Sequence, residues 1–148
     1  MIPNSTGYSL IMRTSSNGGS SYDGGASNYG TTVNHSRWTD TTNNAGAGQI
    51  ATAIYIGQVA TGNISTGDGG KGLNCLMYIH KPSRSDFCQF TMFTTQHIPP
   101  LGGTANFASS QGMGVRLASS PVNALRFSMS DAANINSGVF RLYGLKNS

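Results

Sequence analysis

Five aspartates, three histidines and two cysteines are the side chains here best suited to move protons, hold a metal or attack a substrate. Asp23, Asp40, Asp68, Asp86 and Asp131 each stand among Gly, Ser, Thr or Asn in a stretch that reads as a turn, where aspartate bonds its own backbone. No carboxylate pair for general acid–base work is readable. His35, His80 and His97 are far apart and lack metal-ligand spacing, so they read as surface or strand-end residues and neither metal nor cofactor is expected. Asp68-Gly-Gly-Lys-Gly lacks the acidic series of a calcium loop and the Ser or Thr of a phosphate loop. The serines have no nucleophile-elbow context, and Asn63-Ile64-Ser65 is a chance glycosylation match without a secretory signal. The expectation is a protein that is not an enzyme.

Cys75 and Cys88 fall on neighbouring strands of one expected hairpin. Pairing His80 with Phe87 would place Cys75 opposite position 92, so two buried, reduced thiols are expected, as in a chain made in the cytosol. Aromatics beside carboxylates offer a different chemistry. Trp38 near Asp40, or Tyr22 near Asp23, could furnish the stacking face and polar partner of a sugar site.

The elements that must carry these residues are strands. The 148 residues suit one domain with a proper core. Charged residues make up 9% of the chain, glutamate is absent, and Gly, Ser, Thr and Asn abound, a composition that disfavours helix. The net charge of +4 reflects few acids, and the arginines stand singly, so no nucleic-acid footprint is expected. No apolar run is long enough to cross a membrane as a helix.

Residues 1–7 read as an arm or lead-in and 8–148 as a single domain. Strand starts at Tyr8, Thr31, Ile50, Leu73, Phe87, Met113, Ala124 and Gly138 give about eight short strands, the number expected of an all-β, antiparallel two-sheet β-sandwich of jelly-roll-like form. The 98–112 stretch should cross over outside the ladder. Alternation assigns Val115, Leu117, Leu125, Phe127, Phe140 and Leu142 to the core, and the 138–145 strand closes the fold. Both parities are apolar in the Leu73–His80 and Phe87–His97 strands, which predicts that Leu76, Tyr78, Phe90 and Met92 serve subunit contacts, most plausibly in a homotrimer. The 14–30 stretch is too polar to offset its ordering entropy and is expected to be mobile, with Tyr22, Tyr29 and Trp38 as candidate attachment residues.

One stretch is more specific than this patterning. Gly138-Val-Phe-Arg-Leu-Tyr-Gly-Leu-Lys146 resembles the terminal Phe-x-Leu-Tyr-Gly-Ile-Lys signature of small jelly-roll domains in tailed-phage virion proteins. The Leu10–Tyr29 segment, Ile54-Tyr-Ile-Gly57 and the Leu73–His80 strand are similar in character and order. Family members often have a longer apolar strand before the segment equivalent to 8–13, where this chain has seven residues. The resemblance implies a non-enzymatic virion structural protein, most readily a capsid decoration (cement) protein that self-associates and binds the major capsid protein or another virion protein. It would be assembled in the host cytoplasm and located on the capsid surface. The alternative it implies is a receptor- or glycan-binding terminal domain of a tail or tail-fibre protein, with a host-surface glycan as partner.

Overall fold

The computed structural model describes residues 1–3, 8–37, 44–45, 49–56, 72–85, 89–97, 107–130 and 133–145. Within these residues there are eleven strands and no helix: β1 (Ile2–Pro3), β2 (Leu10–Ser15), β3 (Tyr29–Arg37), β4 (Asn44–Ala45), β5 (Gln49–Ala51), β6 (Ile54–Ile56), β7 (Leu73–His80), β8 (Gln89–His97), β9 (Ala108–Arg116), β10 (Ala124–Met129) and β11 (Ile135–Ser137). The larger sheet runs β4-β3-β9-β8-β7, with β5 also on β3; the smaller runs β10-β2-β6; β1 and β11 pair by themselves. All pairings are antiparallel. The two main sheets form a β-sandwich.

Its topology follows from one ribbon. β2 pairs with β10 in the small sheet while β3 pairs with β9 in the large one, so the β2–β3 and β9–β10 arms run side by side across both layers. That wrap is jelly-roll-like, whereas β7, β8 and β9 form a simple meander. The arms stay bonded where they change sheet: Leu117 N donates to Asn28 O at 2.8 Å, and Asn123 N donates to Ser15 O at 2.9 Å. Gly18 N donates to Asn123 Oδ1 and Asn123 Nδ2 to Ser16 O. The polar stretch expected to be mobile is therefore folded back and tied down by Asn123 and by its own Ser15 and Asn17 side chains, which accept from the main-chain N–H groups of Asn17, Gly19 and Ser21.

The core joins Leu10, Met12, Ile54, Ile56 and Met129 of the small sheet to Tyr29, Val33, Leu73 and Phe93 of the large one. Two glycines make this packing possible. A side chain at Gly112 would collide with the Phe93 ring, and a Cβ at Gly114 would lie 2.5 Å from Ile54 of the opposite sheet. Leu125 and Phe127 pack against this core as expected.

Several expectations are corrected. β9 begins at Ala108, so residues 108–112, expected to cross outside the ladder, are part of it. The β7–β8 hairpin pairs His80 with Phe90, not Phe87, and sets Cys75 opposite Thr95. Cys75 is a free cysteine and its residue is exposed, not buried; Cys88 lies outside the described residues. Val115 faces outward and Leu117 is exposed, because the intervening Arg116 takes the inward position. Residues 1–3 are built into the fold: Met1 N donates to Leu73 O at 3.0 Å, Leu73 N returns a bond to Met1 O at 2.8 Å, and Ile2 pairs with Ser137. Finally, 138–145 forms no strand. Phe140 and Leu142, expected in the core, are exposed, Leu142 at 85%.

Candidate interaction surface

Alternation along β8 buries Gln89, Thr91, Phe93, Thr95 and His97 and turns Phe90, Met92, Thr94 and Gln96 to the outside of the large sheet. Because the pairing register is continuous, the outward residues of neighbouring strands line up in rows. One row reads Ile50, Gly30, Val115, Phe90, His80; the next reads Thr32, Met113, Met92, Tyr78; the third reads Asn34, Gln111, Thr94, Leu76; the fourth is polar, Ser36, Ser109, Gln96, Asn74. The outer face thus grades from apolar at one end to polar at the other. Ile50, Leu76, Tyr78, Phe90, Met92 and Met113 are all exposed.

Gly30 has no side chain in the middle of its row, and this leaves a hollow. The depression, about 290 Å³, is lined by Ile50, Phe90, Met113 and Val115 around the bare backbone of Gly30. A Cβ at Gly30 would come within 3.1 Å of Val115. The lining offers apolar contact and shape, with no ionisable side chain among the residues that form it. Such a surface has the shape and apolar lining to take up a partner's side chains by burial.

The candidate subunit-contact residues inferred from sequence, Leu76, Tyr78, Phe90 and Met92, are brought together on this face. Their neighbours Ile50 and Met113 were not singled out. The signal available was the same outward parity, read across strands whose register only the structure supplies. The candidate attachment residues separate. Tyr29 is 0% exposed and is a core residue, whose hydroxyl accepts from Thr14 N at 2.8 Å and donates to Asp23 O at 3.2 Å. It cannot act as an exposed anchor. Tyr22 is half-buried beneath the Arg126 guanidinium, 4.6 Å from its ring centroid. Trp38 and its neighbour Asp40 lie outside the described residues.

Asp23 is committed too. Its Oδ2 accepts from Arg116 Nε at 2.7 Å and from Thr14 Oγ1 at 3.1 Å. Arg116 sits nearly fully buried, donating further from Nη1 to Ser120 O at 2.6 Å and from Nη2 to Ser120 Oγ at 2.9 Å. A guanidinium in this interior is tolerable only with such partners. The Tyr22–Asp23 sugar set therefore has its carboxylate occupied by the fold itself.

Two histidines depart from the surface placement. His35 and His97 are buried with ring centroids 5.9 Å apart, and His35 Nδ1 lies 3.1 Å from Ser110 Oγ. His80 is exposed. Among the described residues, no three His, Cys, Asp or Glu side chains gather to hold a metal. Cys75 is on the inward parity of the edge strand β7; although its residue is exposed, surrounding atoms desolvate the sulfur and push the thiol up to about 11. It is a poor nucleophile at neutral pH. Among the described residues, no helix is long and apolar enough to cross a membrane.

Comparison with protein-family models, with curated proteins and with solved structures found no match.

Proposed function

We propose that this chain is a non-enzymatic virion structural protein, a capsid decoration protein that self-associates, most plausibly as a trimer, and uses the outer face of its large sheet for protein contact. The observation that carries this reading is the two adjoining apolar rows around Gly30, with Phe90, Met92, Met113, Tyr78 and Ile50 exposed on one face of the large sheet. A monomer rarely leaves such a contiguous surface to water. The likeness of 138–146 to the tailed-phage signature supplies the setting.

The test is incorporation into particles. Met92→Asp with Tyr78→Asp places two charges on the face without touching the core. Purified variant should melt within a few degrees of the parent and bind capsids lacking the protein at least about tenfold more weakly, since desolvating each new charge opposes the contact. Undiminished capsid binding would remove this face from the attachment surface. Cryo-microscopic localisation to a tail tip instead of the capsid would replace the decoration reading with the receptor- or glycan-binding one.

A further inference from the structure

The small sheet has an edge that no described residue completes. β10 pairs with β2 on one side, and among the described residues nothing pairs with its other side. The inward-facing Leu125 and Phe127 of this edge strand are only partly buried. The same is true of Met77 and Ile79 on β7, the edge of the large sheet. These two edges lie on one flank. β6, at the far side of the small sheet, contacts β3 and β9, which leaves β10 toward β8 and β7, and Val122 N donates to Pro82 O in the β7–β8 turn at 2.7 Å. Among the described residues the sandwich is open there, with apolar side chains at the opening and, beyond the Met1–Leu73 pair, main-chain groups without a ladder along its rim.

The segment 138–145 has the complementary deficiency. Val139, Phe140, Leu142, Tyr143 and Leu145 are all exposed, and the stretch makes no ladder. Its start is fixed, because Ser137 pairs with Ile2 and a Cβ at Gly138 would meet Met1 at 3.1 Å. Phe140 then reaches the open flank and stacks on Phe127, ring centroids 5.3 Å apart and planes at 29°. Beyond it Leu142, Tyr143 and Leu145 stand exposed. Its alternation, Phe140 and Leu142 against Val139, Arg141 and Tyr143, is that of a strand with one face to bury. The main-chain donors and acceptors are those of an edge awaiting a ladder.

We propose that segment 138–145 of one copy adds as a strand to the open edge of β10 in a second copy, setting Phe140 and Leu142 over Leu125 and Phe127. The occupant is a second copy because, among the described residues, each chain carries both an edge without a ladder and a strand-like segment without one, and exchange remakes between copies the Phe140–Phe127 contact that one chain makes within itself. Exchange satisfies both without a third component. The inference is independent of the capsid reading and of the outer face of the large sheet.

Mixed-copy photocrosslinking tests it. The full chain carrying p-benzoylphenylalanine at position 143 is prepared with natural isotopes, mixed with uniformly ¹⁵N-labelled chain, unfolded together, refolded and irradiated. Mass spectrometry should find light–heavy adducts joining the 138–145 peptide to the peptide containing 124–129. Adducts that stay within one chain would show that the segment closes its own edge. Light–heavy adducts on 90–96 or 109–115 would place it on the outer face of the large sheet. Either result, or no adduct, overturns the proposal. Sedimentation supplies the second arm: Leu142→Asp should raise the dissociation constant of the assembly about tenfold or more, the worth of one buried leucine. An unchanged mass distribution, or a parent chain that is monomeric at micromolar concentration, overturns it as well. Capsid binding by Met92→Asp/Tyr78→Asp reads the other surface, so failure of one idea leaves the other measurable.

Discussion

Arg116 shows how one side chain can invert the reading of a strand. Val115-Arg116-Leu117 looks like two core residues flanking a solvent-facing cation, yet the guanidinium is inside, held by Asp23 and Ser120. Alternation predicts the period and not the phase, and the phase was decided by an aspartate 93 residues away in sequence. Asp23→Ala should cost about 3 kcal/mol in urea unfolding, because it leaves a buried cation with fewer partners. Arg116→Met should cost less, since Asp23 retains contact with water and the methionine fills the slot. An unchanged midpoint for Asp23→Ala would mean that Ser120 alone satisfies the guanidinium. Cys75 allows a second check at this scale. With the thiol pushed up to about 11 from an ordinary 9.0, the thiolate is scarcer in the folded chain. In a Cys88→Ser background, alkylation at pH 7.5 should run about 100-fold slower in the folded than the unfolded state and accelerate as pH rises toward 11. Equal rates would show that the sulfur is open to solvent.

Elements with a strong local pattern were legible from the residues. β7 occupies Leu73–His80 as expected, and β10 begins at Ala124. β9 was placed five residues late, because its first half, Ala-Ser-Ser-Gln-Gly, carries no apolar alternation and draws its strand character from pairing with β3 and β8. Its glycines are close-approach positions: Gly112 beneath Phe93 and Gly114 beneath Ile54. Gly114→Ala should destabilise the domain by roughly 1–3 kcal/mol through overpacking, and Gly114→Ala with Ile54→Val should recover part of that loss. Equal destabilisation of single and double variants would show that the contact is not what limits the site. The candidate face was half legible. Leu76, Tyr78, Phe90 and Met92 stand out by parity within one hairpin, while Ile50 and Val115 join them only through the β3 and β9 registers. The 138–145 segment, expected as the closing strand, has a strand-like composition but forms no strand within the chain. What composition cannot supply is whose edge it completes.

At the scale of the molecule, the interior is unusually polar and the exterior unusually apolar. Thr14, Thr31, Thr91, Thr95, Ser110, His35, His97 and Arg116 are buried, while the outer rows and the 138–145 segment expose large apolar side chains. A domain arranged in this way draws less of its stability from its own core than its size allows, and the proposed self-association would add to it by covering those surfaces. Its melting temperature should therefore depend on concentration. Assembly that favours only the folded chain adds at most about 1.4 kcal/mol per tenfold rise in protein once copies are mostly associated, worth roughly 3–6 °C in a domain of this size. Calorimetry from about 1 to 100 μM should show an upward trend of that order. Leu142→Asp and Met92→Asp should each flatten it without lowering the melting temperature at the dilute end. A concentration-independent parent would identify the single chain as the stable unit and assign its exposed apolar surfaces to partners of other kinds.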